Sequence, residues 1–149
     1  MIPRLALLAL LLGGTAASAQ QVSATWVGQY LCPQGNTAVN LTIIEAKSGS
    51  LGAWFHFQAP PDNPDVPTGC YTMTGTYDAA SGQVRLVPGA WQHRPPNYVM
   101  VPLEGTVSAD GERLEGQIDH PACGDFATIR RGPGNRSPCQ EGAPLLSMN

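Results

Sequence analysis

Apolar side chains recur at every second position in most of this chain, and helical periodicity is nearly absent after residue 19. Val39, Leu41 and Ile43, for example, alternate with Asn40 and Thr42. A period of two places successive side chains on opposite faces of a β-strand. Turn residues separate the alternating segments, which predict eight strands over residues 25–32, 38–45, 51–58, 70–77, 83–87, 98–108, 113–119 and 126–131.

A weak internal repeat supports this division into strands. Residues 75–82 followed by Leu86 resemble residues 105–111 followed by Leu114, and each reads as a β-hairpin with a glycine-containing turn. Eight sequential antiparallel strands would leave two exposed edges in an open sheet, and closure removes both. We therefore expect an all-β fold, an eight-stranded antiparallel up-and-down barrel over 20–131 with a tail over 132–149. A β-sandwich is the alternative.

The first nineteen residues have the composition of a secretory signal peptide. Arg4 precedes an apolar run over 5–12, and the small residues Ala17-Ser18-Ala19 form a cleavage site that predicts removal before Gln20. The run is much shorter than the ~20 residues of a membrane-spanning helix, so no membrane anchor is expected. The mature protein is then exported, to the periplasm or the extracellular space.

All four cysteines, Cys32, Cys70, Cys123 and Cys139, belong to the exported part. An even number in an oxidising compartment predicts two disulfides, for which three connectivities exist. In a closed barrel the first and last strands are neighbours, so we expect Cys32 to pair with Cys123 and Cys70 with Cys139.

A metal site is the competing interpretation of the same residues. It would use His120 and Cys123 together with His56 or His93, but it lacks a second closely spaced ligand pair. We therefore expect neither metal nor cofactor. His56 alternates with Phe55 and Phe57 and is expected to face solvent.

The charge balance gives little reason to expect a nucleic-acid partner. Without Arg4 the chain keeps seven basic and eleven acidic residues. Arg130, Arg131 and Arg136 form a local basic cluster, which we interpret as a solvated strand end and tail.

We expect the protein to be a monomer.

The expected connections differ in length between the two ends of the barrel. Residues 33–35, 59–69, 88–97 and 119–125 share one rim, whereas short polar turns lie at the other end. Long loops on a rigid scaffold commonly bind a partner. The candidate partner-binding residues on this rim are Trp91, His93, Arg94, Tyr98, Gln34 and His120.

A structural interpretation of the same rim residues remains open. Trp91 and Tyr98 could plug the mouth of the barrel while Arg94 pairs with Asp62, Asp65 or Asp119.

A catalytic interpretation finds little support in the sequence. Asp119 and His120 are adjacent, but no serine occupies a Gly-x-Ser-x-Gly turn and no order of nucleophile, base and orienting residue emerges. We therefore name no catalytic residue and expect that the protein is not an enzyme.

The opening Trp26-Val-Gly-Gln-Tyr30-Leu-Cys32-Pro-Gln34-Gly35 resembles that of small exported bacterial β-domains and, in its Tyr-x-Cys-x-x-Gly core, the periplasmic inhibitors of c-type lysozyme. The second resemblance implies a disulfide-containing β-barrel that inhibits a hydrolase. Those inhibitors enter the lysozyme cleft with a Ser-Gly-containing loop, whereas Ser81-Gly82 is expected at the short-turn end here.

The Trp-x-Gly-x-Tyr opening and the Gly-Thr hairpins also resemble avidin-type and lipocalin-type barrels, which implies a small ligand in the lumen. Apolar side chains alone can fill an eight-stranded barrel, however. We expect a non-enzymatic module that binds an envelope protein through the long-loop rim, a hydrolase that it inhibits being one class of partner. A lumenal small-ligand carrier is the alternative, and a hydrolase ranks third.

Overall fold

The computed structural model describes residues 21–139, so the expected signal peptide and the last ten residues of the tail lie outside the described residues. The described chain forms a closed antiparallel barrel in which each strand pairs with the next and β8 pairs with β1. The strands are β1 Ala24–Cys32, β2 Gly35–Glu45, β3 Ser50–Gln58, β4 Gly69–Asp78, β5 Gln83–His93, β6 Leu103–Val107, β7 Arg113–Ile118 and β8 Asp125–Gly132. The prediction of an eight-stranded up-and-down barrel is confirmed.

Closure depends on the pairing of β1 with β8. Gly28 lies opposite Thr128, and a Cβ at Gly28 would meet the carbonyl oxygen of Ala127 at 1.9 Å. A side chain at position 28 would therefore separate the two strands that close the barrel. Glycine at this position permits the close approach of the two backbones.

Both predicted disulfides are present. Cys32, the last residue of β1, is bonded to Cys123 in the loop between β7 and β8. Cys70 in β4 is bonded to Cys139 in the tail. These bonds indicate a non-reducing environment.

Two strand boundaries differ by five or more residues from those predicted, and the others differ by at most three. β5 continues to His93, because Trp91 and His93 pair with Tyr71 and Cys70 of β4 across register shifts on either side of Tyr71. The prediction of a loop over residues 88–97 was therefore wrong. A bulge accommodates Pro88 within the β4–β5 ladder. β6 begins at Leu103 rather than residue 98, and residues 94–102 form the connection.

The barrel interior is filled by side chains from all eight strands. Trp26, Phe55, Phe57 and Tyr71 are the largest fully buried members, and aliphatic residues complete the core. Packing of this kind leaves no wide lumen in a barrel of eight strands.

The end of the barrel opposite the long loops is sealed around Trp26. The Trp26 Nε1–H donates to the carbonyl oxygen of Val22 at 3.0 Å, and the Arg130 guanidinium lies 4.5 Å from the centre of the indole ring. Arg130 also donates to the carbonyl oxygens of Gly111, Ser23 and Gln21. The N-terminal segment, a hairpin turn and the last strand thus meet at one cation.

His56 is buried, contrary to the expectation that it faces solvent, and 6 % of its surface is exposed. It points to the outer face of the barrel, where the tail lies. Pro133 accepts a hydrogen bond from the Thr25 hydroxyl at 3.0 Å, and Cys139 is bonded to Cys70, the residue paired with His56. The tail therefore crosses the outer face of the first four strands, which alternation within β3 does not reveal.

Candidate functional site

A cavity of about 250 Å³ opens at the long-loop rim. Its walls come from the ends of β1, β3 and β4 and from the three loops that follow β1, β5 and β7. The lining is mainly apolar and consists of Tyr30, Cys32, Pro33, Gln34, Phe57, Tyr71, Asn97, Tyr98, Val99, Val101, His120 and Cys123. We refer to it as the mouth cavity.

Aromatic rings form the floor of the mouth cavity. Phe55 stacks on Tyr71 with ring centres 5.0 Å apart and meets Tyr30 edge-on at 5.2 Å. Burial raises the pKa of both tyrosines far above the usual range, so both are protonated at neutral pH. Gln34 donates to the Tyr30 hydroxyl at 3.2 Å and to the Thr37 hydroxyl at 3.1 Å.

The connection 94–102 forms one wall, and Tyr71 holds it in place. The Tyr71 hydroxyl donates to the carbonyl oxygen of Val101 at 3.1 Å and accepts from the Val101 N–H at 3.2 Å. Further along, the Tyr98 ring stacks on Phe57 with centres 5.4 Å apart. Asn97 has a φ of 64°, a left-handed conformation that asparagine tolerates and that turns the chain across the mouth.

The opposite wall is the loop 119–124, which is fixed to β1. The Cys32–Cys123 disulfide and a hydrogen bond of 2.8 Å from the Gly124 N–H to the Leu31 carbonyl oxygen tie the loop to this strand. His120 Nδ1 accepts a hydrogen bond from the Ala122 N–H at 3.2 Å. Both walls are therefore held before any ligand binds.

The six candidate residues named from the sequence are not all brought together. Gln34, Tyr98 and His120 line the mouth cavity. His93 instead lies on the outer face of the barrel, opposite Cys70 in the β4–β5 ladder.

Trp91 and Arg94 support the cavity from behind. The Trp91 ring packs against Tyr71 at 5.1 Å and Phe57 at 6.3 Å, in line with the interpretation of Trp91 as part of a plug. The Arg94 guanidinium lies 5.9 Å from the centre of the Trp91 ring and donates to the Tyr98 carbonyl oxygen at 3.4 Å. Arg94 thus braces the 94–102 connection instead of pairing with an aspartate.

Val99 is the rim residue that sequence reasoning missed. It alternates with Val101 and Leu103 within the strand predicted over residues 98–108, but 64 % of its surface is exposed at the edge of the cavity. Leu31, on the outer face of β1 beside the same rim, is 54 % exposed. Alternation groups Val99 with the buried Val101 and Leu103 and gives no signal of its exposure.

A second groove of about 450 Å³, with a mixed polar and apolar lining, adjoins the mouth cavity, and we refer to it as the polar groove. Its polar lining includes Glu104, Gln117 and Asp119, and it shares His120 and Cys123 with the mouth cavity. The loop 119–124 is therefore a ridge between an apolar site and a polar one.

Within residues 21–139 no group of three or more histidine, cysteine or acidic side chains could hold a metal ion. The same part of the chain contains no helix long and apolar enough to cross a membrane.

No protein-family model matches the chain, and no curated protein matches it significantly.

Proposed function

We propose that the protein is an exported, non-enzymatic binding module whose mouth cavity receives an apolar side chain of a protein partner in the cell envelope or outside the cell. The observation that carries the proposal is the difference between the two ends. Arg130 and Trp26 seal one end, whereas the other holds an open apolar cavity with exposed Val99 at its edge. An exposed apolar group beside a concave apolar site is typical of an interaction surface.

The size of the mouth cavity favours a single side chain as its occupant. Pockets for drug-sized ligands measure roughly 300–1,000 Å³, and an apolar cavity of roughly 150 Å³ is enough for benzene. A cavity of about 250 Å³ falls between these sizes and suits one aromatic or branched aliphatic side chain. Anchors of this kind often supply most of the affinity of an interface.

The rigidity of the rim also favours binding. The Cys32–Cys123 disulfide fixes one wall, and the two hydrogen bonds between Tyr71 and Val101 fix the other. A preformed site loses little conformational entropy when it binds.

A hydrolase is one class of partner for such a rim, as the resemblance of the Tyr-x-Cys-x-x-Gly opening implies. Ser81 and Gly82 lie between β4 and β5 at the sealed end, so this rim would act through different residues from the Ser-Gly-containing loop of the lysozyme inhibitors. The second candidate function is carriage of a small ligand. The Tyr30 hydroxyl and the Gln34 amide favour it, because they offer polar groups at the floor.

An affinity pull-down from a cell-envelope extract tests the proposal with a matched pair of variants. Val99→Arg places a guanidinium at the cavity edge, and Val87→Arg makes the same change on the outer face of β5, where Val87 is 46 % exposed. We expect one protein to be retained by the native chain and by Val87→Arg but not by Val99→Arg. Equal retention by all three would refute binding through the mouth cavity, and a co-purifying small molecule would favour the carrier.

A further inference from the structure

The net negative charge of residues 21–139 is concentrated on the rim. The described chain contains ten acidic and seven basic residues. Six of each sign lie away from the long-loop end, so they balance. The rim loops and the first residue of β8 carry four carboxylates against the single cation Arg94: Asp62, Asp65, Asp119 and Asp125.

These four carboxylates are not neutralised within the described residues. The ion pairs of Arg85 with Glu104 and of Arg113 with Glu115 join strand residues and include none of the four. Asp62 accepts a hydrogen bond of 3.2 Å from the neutral Asn36 amide. Arg94, the cation of the rim loops, faces the Trp91 ring and the Tyr98 carbonyl oxygen.

The polar groove places part of this charge directly beside the apolar site. Asp119 lines the groove, which meets the mouth cavity at His120 and Cys123. Glu104 also lines the groove, but it is paired with Arg85. A partner whose apolar side chain enters the cavity therefore brings its neighbouring residues over the groove. An acidic partner would be repelled there, whereas a cation would be attracted, and such complementarity governs both specificity and association rate.

We infer that the rim selects a basic protein, one that inserts an apolar side chain into the mouth cavity and places an adjacent lysine or arginine against Asp119 in the polar groove. The inference rests on the proposed function, because it takes the cavity as the anchor site. It adds the chemistry that discriminates between partners: apolar contact supplies the anchor and the unpaired carboxylates supply the preference for positive charge.

Selection from a displayed library of random disulfide-closed peptides tests the inference without a known partner. Peptides are first selected on the mature native protein. Those whose binding is abolished by Val99→Arg but not by Val87→Arg are classed as cavity-dependent. We expect the peptides sorted in this way to be net positive, with a lysine or arginine within two positions of an aromatic or aliphatic residue. Neutral or acidic cavity-dependent peptides would overturn the inference and leave the proposed function intact, whereas the absence of cavity-dependent peptides would overturn both.

A pair of triple variants tests the role of the carboxylates on a selected peptide. Asp62→Asn, Asp65→Asn and Asp119→Asn together remove three rim charges, and Glu45→Gln, Glu112→Gln and Glu115→Gln remove three charges elsewhere. At 50 mM salt we expect the rim variant to bind at least tenfold more weakly and the control to change less than twofold. The rim variant should also lose most of the salt dependence. Equal effects of the two triple variants would contradict the inference, and thermal melting verifies that both remain folded.

Discussion

Arg130 lies in the last strand at the sealed end of the barrel, where it contacts three separate segments of the chain. Its guanidinium donates to three backbone carbonyl oxygens and covers the Trp26 ring. From the sequence, Arg130 was grouped with Arg131 and Arg136 as a solvated basic cluster, because the three arginines lie close together along the chain and nothing local distinguishes them. Arg130 makes these contacts because the N-terminal segment lies beside the last strand in the closed barrel. Local sequence gives no information about that contact between distant segments.

Replacing Arg130 should therefore destabilise the fold. We expect Arg130→Met to lower the free energy of unfolding by about 2–3 kcal/mol, since charge-assisted hydrogen bonds and a cation–π contact are lost together. Urea denaturation of the mature protein measures the change. Arg113→Met is the control, because Arg113 is exposed and makes a 3.9 Å ion pair, and a loss of the same size in both variants would contradict the assigned role of Arg130.

Burial of His56 makes stability depend on pH. Desolvation lowers the pKa of His56 in the folded protein and His93 lowers it further, so the unfolded chain binds a proton there more readily. The corresponding stability is complete above the ordinary pKa of about 6.5 and is lost as pH falls toward the folded value. We expect the free energy of unfolding to fall less between pH 7.5 and pH 5 in His56→Gln than in the native protein. Denaturation curves at the two pH values measure this, and an equal fall would contradict it.

Among the elements, the connection between β5 and β6 shows where alternation misleads. Val99, Val101 and Leu103 alternate as strand residues do, but residues 98–102 form no ladder and Val99 faces solvent. The Tyr71 hydroxyl forms hydrogen bonds with both the N–H and the carbonyl oxygen of Val101. This contact joins residues 30 positions apart, so no local sequence pattern predicts it. The remaining strands agree with prediction to within a few residues, because each has one face in the core and the period of two is enforced by burial.

Removing the Tyr71 hydroxyl should release this connection. We expect Tyr71→Phe to lower the free energy of unfolding by about 1–3 kcal/mol, because a buried N–H and carbonyl oxygen lose their partner. The Val101 amide should also exchange faster with deuterium. Tyr98→Phe, which keeps the ring stacked on Phe57, serves as the control. Unchanged exchange at Val101 in Tyr71→Phe would show that the hydroxyl does not hold the wall.

Closure of the barrel is the feature of the overall architecture that the sequence could predict. Eight alternating segments with short turns require a neighbour for each edge, and the same closure brought Cys32 near Cys123. The sealed end and the buried outer face were not predictable, because they arise from contacts of the N-terminal segment and the tail with distant strands. The mouth cavity depends in turn on the loop conformations at 94–102 and 119–124.

Both disulfides should stabilise the fold, but only Cys32–Cys123 should be needed for binding at the rim. Each closes a long loop, of 91 residues for Cys32–Cys123 and 69 for Cys70–Cys139, so removing either should cost about 2–4 kcal/mol. Replacing Cys70 and Cys139 by serine should uncover His56 but leave rim binding within twofold, whereas replacing Cys32 and Cys123 should weaken it at least tenfold. Denaturation and binding of a rim-selected peptide are measured for both variants. Equal losses of binding would contradict a cavity wall fixed by the first disulfide.

Whether ligands bind at the long-loop end of the barrel can be measured by an NMR titration of the mature protein with side-chain analogues. Toluene, p-cresol and 3-methylindole represent the aromatic side chains that a partner would insert. We expect saturable amide shifts confined to the 94–102 and 119–124 loops and the rim ends of β1 and β3, and their loss in Val99→Arg but not in Val87→Arg. Shifts centred on the sealed end around Trp26, or no saturable shifts with any of the three compounds, would refute a binding site at the mouth cavity.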